Sequence, residues 1–186
     1  MSFESSLQEG LLGESIVVRW LNKQGCHVLP AYEIEQSHGK GPRLFVAKRQ
    51  LVSPDLLCWS GREQFWIEAK TKSAFTWHRL SETWQTGIDR RHWHHYQKVQ
   101  EILEIPVWLL FLHKPGNLAK DTPEGMRSPH GLYGESLAKL KDAVHHEHRN
   151  YGNSGMVYWQ LETLTKYANV MALDNGRSIE IVDLSS

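Results

Sequence analysis

The segment "SPDLLCWSGREQFWIEAKTK", residues 53–72, decides the fold that the sequence predicts. Its apolar residues form two runs separated by Gly61 and Arg62, the pattern of two antiparallel strands joined by a tight turn. If the strands pair around that turn, Asp55 lies opposite Glu68, and Lys70 points to the same face as Glu68. Three charged side chains are therefore expected to meet within strands that are otherwise predicted to be buried.

The opposed carboxylates of Asp55 and Glu68 would repel each other strongly. Opposed strand residues hold their Cβ atoms about 5 Å apart, and two like charges at that distance repel by about 3 kcal/mol at a dielectric constant near 20. A proton, the Lys70 ammonium or a divalent cation would offset this repulsion. Oxygen donors of this kind suit Mg²⁺ or Mn²⁺. The alternative is an exposed ion cluster with a surface salt bridge.

A third acid is predicted to approach the same surface from an N-terminal helix. Residues 5–24 carry apolar side chains at helical spacing, namely Leu7, Leu11, Val18 and Leu21. Glu14 falls inside this apolar stripe, where a solvated carboxylate would not be placed. We therefore expect Glu14 to supply a further oxygen donor beside the hairpin.

The rest of the chain predicts a mixed α/β protein. Residues 106–113 are almost continuously apolar, which is typical of a central strand buried on both faces. The other predicted elements are strands at 27–32 and 156–161, a strand or loop at 44–51, an irregular segment at 73–87, helices at 89–104 and 134–149, a loop at 115–131, and a hairpin around Asn175 and Gly176.

Composition favours a single soluble domain spanning residues 1–186. Apolar residues make up 40% and charged residues 23% of the 186 residues, and no apolar run approaches the length of a membrane helix. The N-terminal residues lack the pattern of an export signal, so we expect a cytoplasmic protein. Cys26 and Cys58 form no CxxC pair and are expected to be reduced core thiols.

The order Glu14, then Pro54-Asp55, then Glu68-Ala69-Lys70 resembles the PD-(D/E)XK nuclease superfamily, which includes archaeal-type Holliday-junction resolvases and many restriction enzymes. The resemblance covers about residues 7–112. It implies an α/β fold with a restriction-endonuclease-like core, in which helices flank a mixed central sheet. Residues 113–186 would add a C-terminal helix and a β-hairpin.

The resemblance also implies roles for these residues. Asp55, Glu68 and the Ala69 carbonyl would hold Mg²⁺ or Mn²⁺, with Glu14 binding directly or through water. Lys70 would orient or activate the attacking water and stabilise charge in the transition state. Such families often add a polar residue from the following helix, for which Tyr96 and Gln97 are the candidates. A phosphodiester is already anionic, so attack by water is helped by a cation.

A basic and aromatic segment directly follows Lys70. Six Lys or Arg residues stand against two acids between residues 69 and 100, although the net charge of the chain is zero. Cations attract phosphates, and exposed rings stack on unpaired bases. The candidates for nucleic-acid binding are Lys72, Trp77, Arg79, Arg90, Arg91 and Lys98.

The sequence therefore predicts a Mg²⁺-dependent nuclease, with DNA favoured over RNA and an endonuclease favoured over an exonuclease. A homodimer would suit cutting of two strands. One alternative is a nucleic-acid-binding module without chemistry, and another is an unrelated α/β interaction domain with a surface ion cluster.

The spacing of the clustered histidines in the sequence does not favour a zinc site. His92, His94 and His95 lack the i, i+4 spacing that places two ligands on one helical face. His145, His146 and His148 are expected to be solvated at the polar end of the helix predicted for residues 134–149.

Overall fold

The computed structural model describes residues 3–31, 42–47, 49–116, 119, 121–148, 154–173 and 178–184. In chain order the elements are α1 (Phe3–Lys23), β1 (His27–Pro30), β2 (Arg43–Val46), β3 (Arg49–Val52), β4 (Leu56–Ser60), β5 (Glu63–Lys72), β6 (Thr76–His78), β7 (Thr83–Asp89), α2 (Arg90–Leu103), β8 (Val107–His113), β9 (Gly131–Ser136), α3 (Leu137–Asp142), β10 (His146–His148), β11 (Met156–Gln160), a 3-10 turn (Leu161–Thr163), β12 (Thr165–Leu173) and β13 (Ser178–Asp183).

The described strands form a large mixed sheet, a smaller sheet and a ribbon. The large sheet has the order β1-β4-β5-β8-β9-β12-β13, in which β5 and β8 run parallel and the other neighbours run antiparallel. All residues of β8 except Trp108 are buried. The prediction of a central strand at 106–113 is confirmed for residues 107–113, because β8 is paired on both sides and covered on both faces.

Helix α1 packs against one face of the large sheet. Its buried residues Ile16, Val17 and Leu21 join Leu56 and Ile67 in one apolar core. The predicted helix is confirmed, but the predicted stripe was wrong at Leu11, which is 57% exposed. The buried face is rotated toward Gly13, Ile16 and Val17, because this is the side on which the helix meets the sheet.

Gly13 sets how closely α1 approaches the sheet. A Cβ atom at this position would lie 1.7 Å from Thr71 Oγ1, so only a glycine lets the helix backbone lie directly against β5. Glu14 follows immediately and is half-buried. The contact therefore positions Glu14 next to the end of β5 that carries Lys70.

Helix α2 and the small sheet cover the opposite face of β5 and β8. The small sheet has the order β10-β11-β7-β6, and Trp93, Tyr96 and Val99 of α2 share a core with Phe111 and Trp159. The helix predicted for residues 89–104 is confirmed. It begins after Asp89, whose carboxylate accepts a hydrogen bond from Arg91 N at 2.8 Å, and ends at Glu104 in the left-handed conformation.

Several predicted elements were wrong. Residues 73–87 are not irregular, because they include β6 and most of β7, whose polar residues Gln85 and Thr86 are buried and obscure the strand pattern. The helix predicted for 134–149 is limited to α3, because β9 pairs with β8 and β12, and β10 pairs with β11. The segment 44–51 was predicted as a strand or loop, and its residues 44–46 and 49–51 lie in β2 and β3.

The C-terminal hairpin is confirmed by the pairing of β12 with β13. Its predicted turn residues, Asn175 and Gly176, lie outside the described residues. Among the described helices, none combines the length and the apolar character needed to cross a membrane.

Candidate active site

The hairpin of β4 and β5 has the predicted register. Leu56 pairs with Ile67 and Leu57 with Trp66, so Asp55, one residue before β4, lies beside Glu68. The Asp55 Oδ2 atom accepts a hydrogen bond from Ala69 N at 3.1 Å. This bond fixes the Asp55 carboxylate against the strand that carries Glu68 and Lys70.

Glu68 is a buried carboxylate in an unusual environment. It is 1% exposed, it forms an ion pair with the Lys70 ammonium, and the Tyr96 hydroxyl is directed at it from α2. Nevertheless, neither Glu68 oxygen has a hydrogen bond of regular geometry from the described residues. Burial, followed by the charge of Asp55, raises the pKa of Glu68 to about 8 despite the opposing effect of Lys70.

The pKa of Glu14, on α1, is affected by the charges of Asp55 and Lys70 as well. Burial first, and then the negative charge of Asp55, raises the pKa of Glu14 to about 7, while the positive charge of Lys70 lowers it. Glu14 also lines a groove of about 470 Å³ with Leu11, Ser15 and Pro30 among its neighbours. The structure therefore brings the third acid to the hairpin, as the sequence predicts.

Lys70 remains a cation in this cluster. Burial alone would lower its pKa, but the carboxylates of Glu68, Asp55 and Glu14 together outweigh burial and raise the pKa above its ordinary value. Two residues along β5, burial and the charge of Lys70 lower the pKa of Lys72 to about 8. The strand thus carries one lysine with a raised pKa and, two residues further on, one with a lowered pKa.

His92 is a further residue of this site that sequence reasoning missed. It is half-buried in the first turn of α2, and its ring centroid lies 5.9 Å from that of Tyr96. Burial and the charge of Lys70 lower the pKa of His92 to about 4, although Asp89 opposes this shift. The imidazole is therefore neutral at neutral pH. The i, i+4 spacing from Tyr96 was the available signal.

Gln97, the other candidate from α2, is half-buried one position further along the helix. Consecutive helical residues are separated by about 100° around the axis. Tyr96 thus faces Glu68, whereas Gln97 is turned away from that direction.

The predicted nucleic-acid-binding residues are dispersed around α2 and the small sheet. Three of the cations form ion pairs, namely Arg79 with Asp121, Arg90 with Glu147 and Lys98 with Glu101. Trp77 is partly buried and packs edge-on against Trp84 at 5.1 Å between ring centroids. Arg91 is exposed in the first turn of α2.

The ribbon of β2 and β3 adds two cations beside α2. Val52 N donates a hydrogen bond to His95 Nδ1 at 3.1 Å, which attaches the ribbon to the helix. Burial, followed by the positive charges of Arg91, Arg43 and Arg49, lowers the pKa of His95. These three arginines therefore lie on one side of α2, which could not be predicted without knowing how the ribbon packs.

The donor set fits a hard divalent cation. Burial and then the charge of Asp55 raise the pKa of both Glu14 and Glu68, and the Glu68 oxygens lack regular hydrogen bonds among the described residues. A cation bound there would offset both the mutual repulsion and the burial of charge. Asp55, Glu68 and the Ala69 carbonyl are the residues that would hold it, with Glu14 at the side.

The fold is restriction-endonuclease-like. Its core consists of α1, the antiparallel β1-β4-β5 meander, α2 and the parallel strand β8, which is the topology that the sequence resemblance implies. The β2-β3 ribbon and the β6-β7 strands are inserted into this core.

No family model and no curated protein matches the sequence. Solved structures do show similarity. Hjc, a Holliday junction resolvase from Archaeoglobus fulgidus, aligns with a TM-score of 0.49 and 9% identity over 83% of this chain and 90% of that one. D212, a nuclease from a fusselovirus, aligns with a TM-score of 0.38 and 12% identity over 88% of this chain and 84% of that one.

Proposed function

We propose that the protein is a metal-dependent nuclease that hydrolyses phosphodiester bonds, with DNA as substrate and internal cleavage as its action. The observation that carries this proposal is the convergence of Asp55, Glu68, Glu14 and Lys70 at one end of the hairpin. A solvated ion cluster does not account for it, because Glu68 is 1% exposed. Burial of like charges is costly and is retained where a site uses it.

Asp55, Glu68 and the Ala69 carbonyl would hold Mg²⁺ or Mn²⁺, with Glu14 as an auxiliary ligand. When bound, the ion lowers the pKa of water and neutralises charge on the phosphate. The Asp55 carboxylate is oriented for this role, since one of its oxygens is already fixed by the backbone N–H of Ala69.

Lys70 supplies positive charge rather than a base. Its pKa is raised by the surrounding carboxylates, so its Nζ atom carries a proton throughout the neutral range. An ammonium held next to Glu68 donates hydrogen bonds to the attacking water or to a phosphate oxygen, where negative charge develops. We therefore assign Lys70 to orientation and charge stabilisation.

The arginines beside α2 are suited to hold the phosphate backbone. Arg43, Arg49 and Arg91 lie around His95, on the helix that also carries Tyr96 next to Glu68. Backbone contacts of this kind are independent of base sequence. Residues Lys72, Arg79, Arg90, Lys98 and Trp77 remain part of the proposed binding surface.

The experiment is cleavage of supercoiled plasmid DNA with Mg²⁺ or Mn²⁺, repeated with EDTA and with an RNA substrate. Asp55→Asn should abolish cleavage, because it removes a principal ligand charge. Glu63→Gln is the matched control, since Glu63 is an exposed acid on the same hairpin. Cleavage by Asp55→Asn at the wild-type rate would overturn the proposal, and DNA binding without metal-dependent cleavage would support the non-catalytic module instead.

A further inference from the structure

Three histidines from two distant parts of the chain meet outside the carboxylate site. His78 is the last residue of β6, His146 is the first residue of β10, and His145 directly precedes that strand. One ring nitrogen of each lies within 4.8 Å of a ring nitrogen of the others. The three ring centroids are 4.9 to 5.1 Å apart. The imidazoles thus form a compact triad.

The triad joins the two edges of the small sheet. β6 and β10 are the outermost strands of the order β10-β11-β7-β6, yet the rings of His78 and His146 are 4.9 Å apart. The sheet therefore curls until its edges approach each other through these side chains. This closure explains why the triad is not visible in the sequence.

The polar atoms of the triad are incompletely satisfied. Ser81 Oγ lies 2.6 Å from His78 Nδ1 and 3.2 Å from His145 Nε2. His146 Nδ1 is buried and has no hydrogen-bond partner among the described residues. The His146 ring is stacked on Tyr158, with 4.7 Å between centroids. A buried nitrogen without a partner is costly, and its ring is held in place.

We propose that His78, His145 and His146 bind one divalent transition-metal ion, of which Zn²⁺ is the best match. Three imidazole nitrogens suit zinc, whereas the oxygen donors of the hairpin suit Mg²⁺ or Mn²⁺. Zn–N distances of about 2.0–2.1 Å in a tetrahedron place the nitrogens about 3.4 Å apart, so the rings of His78 and His145 would turn toward the stacked His146 ring. The Ser81 hydroxyl or a water takes the fourth position.

A metal at this place would clamp β6 to β10. It would stabilise the small sheet, because a metal that binds only the folded state increases the free energy of unfolding. The proposal does not depend on nuclease activity, since none of its ligands belongs to the carboxylate site.

The test uses the full chain, stripped with EDTA and dialysed. Titration with Co²⁺ should produce the visible absorption bands of a tetrahedral site at one equivalent, without the thiolate charge-transfer band that Cys26 or Cys58 would give. Zn²⁺ should displace Co²⁺ and raise the melting temperature. His78→Ala and His146→Ala should lose both effects, whereas His27→Ala, an exposed histidine on β1, should keep both.

Asp55→Asn separates this site from the carboxylate site. If the Co²⁺ bands survive in Asp55→Asn and disappear in the histidine variants, the triad is the ligand set. The reverse pattern would overturn the proposal, and so would a wild-type chain without a saturable Co²⁺ spectrum. Circular dichroism verifies that each variant is folded, and His78→Gln provides a second variant if an alanine variant unfolds.

Discussion

The Asp55 carboxylate accepts a hydrogen bond from the backbone N–H of Ala69 at 3.1 Å. This bond joins the residue before β4 to β5, so it ties the orientation of Asp55 to the register of the hairpin. A shift by one residue would turn Glu68 to the opposite face of the sheet. The register and the carboxylate pair are therefore one structural feature.

Replacement of Lys70 tests its role as a fixed positive charge. Lys70→Met should reduce the rate of DNA cleavage by about 100- to 10,000-fold, which is typical for loss of a group that acts in the transition state. Lys141→Met, at an exposed position on α3, is the control and should retain wild-type cleavage. Cleavage at the wild-type rate by a folded Lys70→Met protein would contradict the proposed role of Lys70.

His92 gives a prediction that only the structure provides. Its neutral imidazole lies close enough to Lys70 to be affected by that charge, and it lies next to Tyr96. His92→Gln should therefore lower the rate of cleavage by about 10- to 100-fold, because Lys70 and Tyr96 would lose a residue that positions them. His94→Gln, an exposed residue on the same helix, should have little effect. Equal rates for the two variants would show that His92 has only a packing role.

The raised pKa values predict how stability depends on pH in the metal-free protein. Glu14 and Glu68 have ordinary values of 4.5 but titrate at about 7 and about 8 in the folded chain. The folded state therefore binds more protons than the unfolded state in this window, and the free energy of unfolding should fall as the pH rises from 4.5 to about 8.

Urea unfolding in EDTA at a series of pH values measures this effect. Glu68→Gln should flatten the dependence up to pH 8, and Glu14→Gln should flatten only the part below about pH 7. Saturating Mg²⁺ should restore stability at the upper end of the range, because the metal requires deprotonated ligands. A stability that rises over this range in wild type would contradict the prediction.

Gly13 and Gly10 lie in the same helix and should respond in opposite directions. A Cβ at position 13 meets Thr71 Oγ1 at 1.7 Å, whereas a Cβ at position 10 meets nothing within 4 Å. Gly13→Ala should destabilise the fold by about 1–3 kcal/mol through overpacking, and Gly10→Ala should stabilise it by about 0.5–1 kcal/mol. Chemical denaturation measures both, and equal effects would contradict the close contact of α1 with β5.

The hairpin and its acids could be predicted because their signals are local. The alternation of residues 56–69 and the turn at Gly61 fix the register without reference to the rest of the chain. Glu14 was identified because it interrupts an apolar stripe, even though the stripe was misplaced at the exposed Leu11. Glu14 still borders the buried face of the helix, because it lies three residues before the buried Val17.

The missed features depend on packing between distant segments. Strand β7 was not predicted because its residues Gln85 and Thr86 are polar. Neighbouring strands bury them, and the local sequence does not show this. The proximity of His92 to Lys70 requires the angle at which α2 crosses the sheet. His145 and His146 were expected at a helix end, but pairing of β10 with β11 places them beside His78.

Asp89 ends β7 and caps α2, and Ser154, just before β11, donates a hydrogen bond to the same carboxylate. Trp159 of β11 then packs against Trp93 of that helix, with 5.0 Å between ring centroids. The helix that carries His92 and Tyr96 is thus held in place by residues that come long after the β4-β5 hairpin in the sequence. The position of α2 relative to the large sheet therefore depends on β11, so truncation before Ser154 would remove both of these contacts.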